Sequence, residues 1–563
     1  MSLIDWSVLI FTLLSIIFYG VWKSRGTKNI EGYLLADRQL PWYQVGFSVM
    51  ATQASAITFL SAPGQAYSDG LRFVQFYFGL PLAMIVICIA FIPVFQRLNV
   101  YTAYEYLENR FDNKTRSLTA FLFLLQRGLS TGITIYAPAI ILSTILGVGI
   151  AYTTLFMGGA VILYTVYGGT KAVSYTQMLQ MTIIFAGLFF AGYMVVHLLP
   201  KEVGFIDALH IAGKMGKMNA IDTKFDWNNR YNLWSGIIGG FFLQLSYFGT
   251  DQSQVGRYLT GKSIAQSRIG LVMNGLIKIP MQFLILLIGT LVFAFYQFHA
   301  PPVFFNKVEV ESIRNSEYGP QYDSLERAYT IQHEHKRTQI NEYVFALHQN
   351  DAEKQQMAGA ALKASQIEAD TIRAKTLRLV RKNTGSTKTN DTDYVFLSFV
   401  MEYLPMGLVG LLIAIIFLAA MGSTASGLNS LASTTIVDFY KRFHKREESE
   451  AYYLTASRWA TVLWGLFCMV VAFFASRLGD NLIEVVNILG SFFYGTILGI
   501  FLVAFWMKTV KGTAVFYAAL ITEVFVIASW HFNLMAFLWL NVLGCLMLML
   551  LAWSIQRIID YNK

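Results

Sequence analysis

Apolar stretches of about twenty residues, the length that crosses a bilayer as a helix, recur along the whole chain. About thirteen are legible, near 5–23, 42–62, 72–97, 117–145, 149–169, 175–199, 232–255, 269–298, 403–438, 455–475, 482–507, 512–531 and 534–556. Two long intervals break the rhythm. Lys201 to Tyr231 is mixed in character and is expected to cap the mouth of a bundle. Ala300 to Asp393 is rich in Ala, Glu, Gln and Lys, as in L-E-R-A-Y-T-I-Q-H-E-H-K-R and A-L-K-A-S-Q-I-E-A-D-T-I-R-A-K. That pattern predicts one or two solvated helices outside the membrane. G-S-T-K-T-N-D-T-D then reads as a linker back to the bundle.

Three apolar stretches turn polar midway, where polar groups are costly and point to function. In A-A-M-G-S-T-A-S-G-L-N-S, Ala419 to Ser430, the positions Ala419, Gly422, Ser423, Ser426, Ser430 and Ser433 recur at spacings of three and four and share one helix face. Small residues there admit close helix packing. Hydroxyls and freed carbonyls are also hard oxygen ligands for a small cation, so both readings stand. In M-A-T-Q-A-S-A-I-T-F-L-S-A-P-G, Met50 to Gly64, the residues Gln53, Ser55 and Thr58 do not all face lipid. Such a stretch suits a helix that unwinds and offers carbonyls to a ligand, or a packed helix with back-bonded hydroxyls.

The third stretch is L-Q-L-S-Y-F-G-T-D-Q-S-Q-V-G-R-Y-L, Leu243 to Leu259, with Asp251 near a span end and Lys278 following in the next span. Lys278 sits roughly 15 Å into the bilayer, counted from Arg268. It either snorkels to the surface or faces a water-filled cavity. Arg127, beside the small and polar R-G-L-S-T-G, is expected to point inward.

Composition agrees with the pattern. The chain is 55% hydrophobic and 14% charged, against about a quarter charged in soluble domains. The start, M-S-L-I-D-W, lacks the basic region of a signal peptide, so Leu9 to Trp22 is expected to be a retained span. Cys88, Cys468 and Cys545 fall in apolar runs, which speaks against a disulfide framework. The net charge of +9 comes from alternating loops, not from a nucleic-acid surface. Lys23, Arg25, Lys28 and Arg38 lie in one such loop, and Lys441, Arg442, Lys445 and Arg446 in another. The positive-inside rule makes these loops cytoplasmic, with the N-terminus outside and the C-terminus inside a cell membrane. His333 and His335 are two apart on a helix and point to different faces, which disfavours a metal pair. No phosphate loop, paired cysteines or H-E-x-x-H is present, so no enzyme is expected.

Several motifs resemble the sodium/solute symporter family, which includes sodium/glucose, sodium/proline and sodium/iodide carriers. They are G-Y-L-L-A-D-R-Q-L-P-W at 32–42, Y-T-A-Y-E-Y-L-E-N-R-F at 101–111, T-G-I-T-I-Y-A-P-A at 131–139, Y-G-G-T-K-A-V at 167–173, T-D-Q-S-Q-V-G-R-Y-L at 250–259 and Y-L-P-M-G-L-V-G-L at 403–411. The resemblance covers nearly everything except 300–393. It implies an all-α membrane protein of about thirteen spans with a LeuT-type 5+5 inverted repeat. An extra N-terminal span would occupy 1–30, the first five-helix repeat 42–200 and the second 232–507, interrupted by the 300–393 insert, with extra C-terminal spans in 512–563.

It further implies a sodium ion held by the carbonyls of Ala51, Ala54 and Ala419 and the hydroxyl of Ser423. Gly422 stands where the family usually has a hydroxyl, so either one ligand is lost or Thr424 replaces it. Gln177 stands where the family favours an aspartate, which with Ala425 argues against a second sodium. For the solute, the resemblance to sugar carriers implies Tyr247 as inner gate and Lys278 as a solute contact. Thr58, Tyr77 and Gln244 occupy other contact positions, with Leu80 among them. Those places hold fewer sugar-type polar groups, so a small organic anion is expected ahead of a hexose. The implied function is sodium-coupled import of a small solute across the lipid bilayer by alternating access. A sodium-independent facilitator, or a membrane sensor whose insert binds a partner of unknown kind, are the alternatives.

Overall fold

The computed structural model describes residues 1–24, 30–385, 389–443, 448–475 and 481–561. Arg25, Lys28, Lys445, Arg446 and part of the 385–393 linker lie outside these described residues. Among them the chain is helical, apart from turns and an isolated bridge between Leu40 and Gly261. Ten described helices are long and apolar enough to cross a membrane. The other three expected spans have visible reasons for falling short. Those near 42–62 and 232–255 are interrupted, and that near 149–169 is a short apolar helix, Ile150–Val166. The outer faces carry exposed Phe18, Leu155, Phe189, Trp459, Val524 and Leu550, which suit lipid rather than water.

The chain opens with α1 (Leu3–Ser24), which packs on helices that follow later. The first interrupted pair is α2 (Trp42–Gln53) and α3 (Ala56–Asp69). Their helical path ends at Ala54 (φ −80, ψ 77) and Ser55 (φ −82, ψ 174). Residues 80–97 form α4, with a π turn over Ile87–Phe91. Next come α5 (Asn113–Leu146) and the long α6 (Ile150–His197). The latter bends at Gly169 (φ 58, ψ −175), where a Cβ would sit 2.7 Å from the Tyr33 ring. Only glycine takes that backbone freely. Within 201–231 lies one helix, α7 (Phe205–Lys214).

The second interrupted pair is α8 (Gly240–Thr250) and α9 (Gln252–Tyr258), followed by α10 (Ile264–Phe298). Asp251 forms the break between the pair. It is extended (φ −77, ψ 119) and caps α9 by accepting from the Ser253 N–H at 2.9 Å.

The insert holds three helices rather than one or two: α11 (Lys307–Arg314), α12 (Gly319–His348) and α13 (Ala352–Thr384). Helices α12 and α13 form a hairpin with a small core that includes Tyr322, Tyr329, Ala369 and Val380. The hairpin is not simply solvated. His333 Nε2 meets the carbonyl of Tyr296 on α10 at 3.1 Å. Arg373 donates to Asp391 at 2.6 Å and to the Val303 carbonyl at 2.9 Å.

Helix α14 (Thr392–Tyr403) leads to α15 (Leu408–Thr434), then α16 (Glu450–Ala475), α17 (Leu482–Trp506), α18 (Gly512–His531) and α19 (Phe537–Tyr561). Helix α15 packs on α5, α6, α2 and α3, so it runs past the first break. The carboxylate of Asp5 accepts from the N–H groups of Gly407 (2.6 Å) and Gly410 (3.2 Å). A carboxylate there satisfies donors that the first turn of α15 leaves open.

Candidate functional site

A cavity of about 90 Å³ lies between the two interrupted helices. The first break contributes Gln53, Ser55, Ile57 and Thr58, and α8 contributes Leu243, Gln244 and Tyr247. Phe76, Tyr77, Arg127, Ser130, Asn487 and Tyr494 complete most of the wall. Four of the five solute positions expected from sequence, Thr58, Tyr77, Gln244 and Tyr247, are therefore in one cavity. The breaks meet across it: Gln53 Nε2 donates to Gln244 Oε1 at 3.5 Å. Gln53 Oε1 and Gln244 Nε2 have no hydrogen-bond partner.

The fifth, Lys278, is placed differently. It does not line this cavity, and it is fully buried, so it does not snorkel to a surface. Its Nζ lies 5.9 Å from the centre of the Tyr77 ring and has no hydrogen-bond partner. Asn274 and Gln282, one turn to either side on α10, also hold polar atoms without partners.

Beside the cavity, Asp251 is buried at the point where α8 ends and α9 begins. Its carboxylate pairs with Arg127 Nη2 from α5. It also accepts from Tyr494 Oη at 3.0 Å and Ser253 Oγ at 2.6 Å. The Arg127 guanidinium stands 5.4 Å from the centre of the Tyr247 ring, and Gln254 Nε2 donates to Tyr247 Oη at 2.7 Å. Arg127 points inward as its small and polar neighbours imply, and Asp251 is a partner those neighbours do not name. A buried arginine demands a counter-charge, which is the signal that points to Asp251.

Of the expected cation ligands, Ala51 and Ala54 lie at the first break, and Ala419 and Ser423 lie on α15, which packs on α2 and α3. The Ser55 N–H turns to the Gln53 carbonyl at 3.0 Å, so the Ala51 carbonyl loses the donor that a continuous helix would supply. On α15, Ser423 Oγ donates to the carbonyls of Ala419 (2.8 Å) and Ala420 (3.2 Å). Its proton is thereby engaged while its lone pairs remain for a cation. Ala54 forms the break itself. Helices α2 and α15 are tied one residue beyond Ala51, where Thr52 Oγ1 donates to Ser426 Oγ at 3.1 Å.

Gln177 on α6 stitches the same corner. Its Nε2 faces Thr52 Oγ1 (3.3 Å), the Gly422 carbonyl (3.2 Å) and Ser426 Oγ (3.0 Å), and its Oε1 accepts from Ser48 Oγ at 2.7 Å. Thr424 Oγ1 is buried and has no hydrogen-bond partner. Uncharged oxygens grouped at an interrupted helix suit a monovalent hard cation. Among the described residues no cluster of His, Cys, Asp and Glu suits a metal ion of another kind.

Two interrupted membrane helices facing one buried polar cavity, with a carbonyl freed at a break, match the architecture of secondary carriers. The chain belongs to the sodium:solute symporter family, whose sequence profile matches residues 33–317 and 372–522. The unmatched 318–371 covers α12 and much of α13. The chain is similar to the human sodium/iodide cotransporter, with 33% identity over 276 residues, 48% of this chain and 42% of that protein. It is similar to the sodium-dependent multivitamin transporter of Oryctolagus cuniculus, with 27% identity over 510 residues, 89% of this chain and 66% of the other. The sodium/glucose cotransporter of Vibrio parahaemolyticus is 26% identical over 531 residues, 92% of this chain and 83% of that protein. The chain thus spans 42% of the iodide carrier and 66% of the vitamin carrier. A solved Na+-coupled sialic acid symporter in a substrate-bound outward-open state shares the fold, with a TM-score of 0.76 at 20% identity over 99% of this chain and 98% of that one.

Proposed function

We propose that the protein is a sodium-coupled symporter that imports a small organic solute across a cell membrane by alternating access. The observation that carries this reading is the break at Ala54–Ser55, which leaves the Ala51 carbonyl bare beside α15. In this reading the carbonyls of Ala51, Ala54 and Ala419 and the hydroxyl of Ser423 hold the ion. Those atoms come from both sides of the α2–α15 contact, so filling the site favours the arrangement in which the two helices stay together. The solute cavity adjoins the same break, which links its shape to the ion site. Each sodium entering down a potential of ~100 mV supplies about 2.3 kcal/mol, before its concentration gradient.

The solute reading favours a small organic anion. Arg127 lines the cavity, and its Nε has no acceptor even with Asp251 in place. Lys278, the contact expected for a sugar, stands outside the wall. The proposed domain plan keeps the repeats at 42–200 and 232–507, with the N-terminus outside and the 300–393 insert on that outer side.

Uptake into proteoliposomes, with and without an inward sodium gradient, tests the reading. Accumulation above equilibrium driven by sodium is the expected result. Equilibration that ignores sodium makes the protein a facilitator, and no flux for any small organic acid or sugar makes it a sensor.

A further inference from the structure

We infer that Gln180 supplies, through Oε1, an oxygen ligand of the sodium site at the place Gly422 leaves open on α15. The inference rests on the sodium reading above and adds a residue to that site.

Gly422 presents no side chain toward α6, and Gln180 fills the space. A Cβ at position 422 would lie 2.7 Å from Gln180 Oε1. That oxygen stands close to where a side-chain hydroxyl on residue 422 would put its own. Gln180 is 2% exposed, and its Oε1 has no hydrogen-bond partner. An acceptor left bare in a buried place is destabilising until something satisfies it.

The neighbouring groups do not relieve it. Gln177, one turn away on the same face of α6, directs its Nε2 to the Gly422 carbonyl, Thr52 and Ser426. Ser426 Oγ donates to the Gly422 carbonyl at 2.9 Å, and Ser48 Oγ to Gln177 Oε1. The Ser423 proton is directed to Ala419 and Ala420. Thr424 Oγ1 aside, the donors of this corner are spent, and the group left bare beside Gly422 is the Gln180 oxygen. A cation satisfies such an oxygen without needing a proton from the protein. With Gln180, the set of ligands comes from α2, α6 and α15, and the ion bridges three helices instead of two.

The test uses the full-length protein in lipid nanodiscs. Sodium affinity is read from 22Na+ binding and from the rise of Tm on titrating NaCl against choline chloride. Gln180→Ala is expected to raise the apparent Kd for sodium about tenfold or more. Gln180→Ala combined with Gly422→Ser is expected to recover most of that loss, because the new hydroxyl enters the vacated space. Gln180→Glu keeps the shape, adds charge and is expected to tighten sodium binding, which covers the case where the alanine variant does not fold. Unchanged sodium affinity in Gln180→Ala, beside a weakened Ser423→Ala, overturns the inference and leaves the site reading intact. Weaker binding in a folded Gln180→Glu also overturns it. A wild-type protein that binds no sodium removes the underlying reading instead.

Discussion

Arg127 and Asp251 pair inside the bundle, and the pair joins α5 to the break between α8 and α9. Tyr494 of α17 contacts both partners, at 3.0 Å in each case. One ion pair thus ties three helices next to the solute cavity. Removing one partner leaves the other charge buried and bare, at a cost of roughly 3–5 kcal/mol. Asp251→Asn and Arg127→Gln are each expected to lower Tm sharply. The double variant should lose less than the sum of the two. Strict additivity in a double-mutant cycle would show that the pair is not coupled.

Ser423 offers the one side-chain oxygen among the four expected sodium ligands. Ser423→Ala is expected to raise the sodium concentration for half-maximal uptake by about tenfold. Uptake measured across a sodium series checks this, and an unshifted midpoint takes Ser423 out of the site.

Gln177 fills the oxygens around it with amide hydrogens, at 3.0–3.3 Å. No room is left there for a second ion. Sodium activation of the wild-type protein is therefore expected to be hyperbolic, with a Hill coefficient of about 1. In Gln177→Asp those donors give way to a carboxylate facing Thr52 and Ser426, and activation should turn sigmoidal. A sigmoidal wild-type curve contradicts this account.

Arg127 lines the cavity and Lys278 does not. Lys278→Met is expected to change the KM for an anionic solute by less than about threefold, whereas Arg127→Lys should raise it about tenfold. The reverse order would mean that Lys278 reaches the solute by displacing Tyr77.

Lys336 lies in the insert, buried, with Nζ donating to Gln366 Oε1 at 2.9 Å. Desolvation brings its pKa down from the usual 10.5 to about 8, partly opposed by Asp370. Between those values the unfolded chain binds more protons than the folded one, so stability rises with pH through that window. Below about pH 8 the charged amine costs about 3 kcal/mol. Lys336→Met should therefore raise Tm at pH 7, and the gain should shrink toward pH 10. Equal gains at both values would assign the effect to packing rather than charge.

The sequence made much of this legible. Small and polar residues inside Met50–Gly64 and Leu243–Leu259 marked both breaks, because lipid tolerates such groups only around an interior site. Periodicity marked the spans for the same local reason. What it left open are meetings between distant groups. Arg127 and Asp251 are 124 positions apart, and nothing in either span names the other. Lys278 looked able to snorkel because distance along a helix does not tell which face is covered. Gln180 carries no signal in the sequence, because an amide in a span is ordinary until its oxygen is found without a donor. The insert yielded its helical character but not its third helix, nor its seat on the bundle, since Ala- and Glu-rich periodicity is equally compatible with a free hairpin.

The hairpin of α12 and α13 is anchored on different parts of the chain, among them the end of α10 through His333, the cap of α14 through Arg373 and α7 through His348 and Asp207. It cannot follow one helix without straining its hold on the others. If the proposed alternating access holds, a rigid binder clamped across the hairpin would thus act as a splint, slowing the helix movements it requires without entering the cavity.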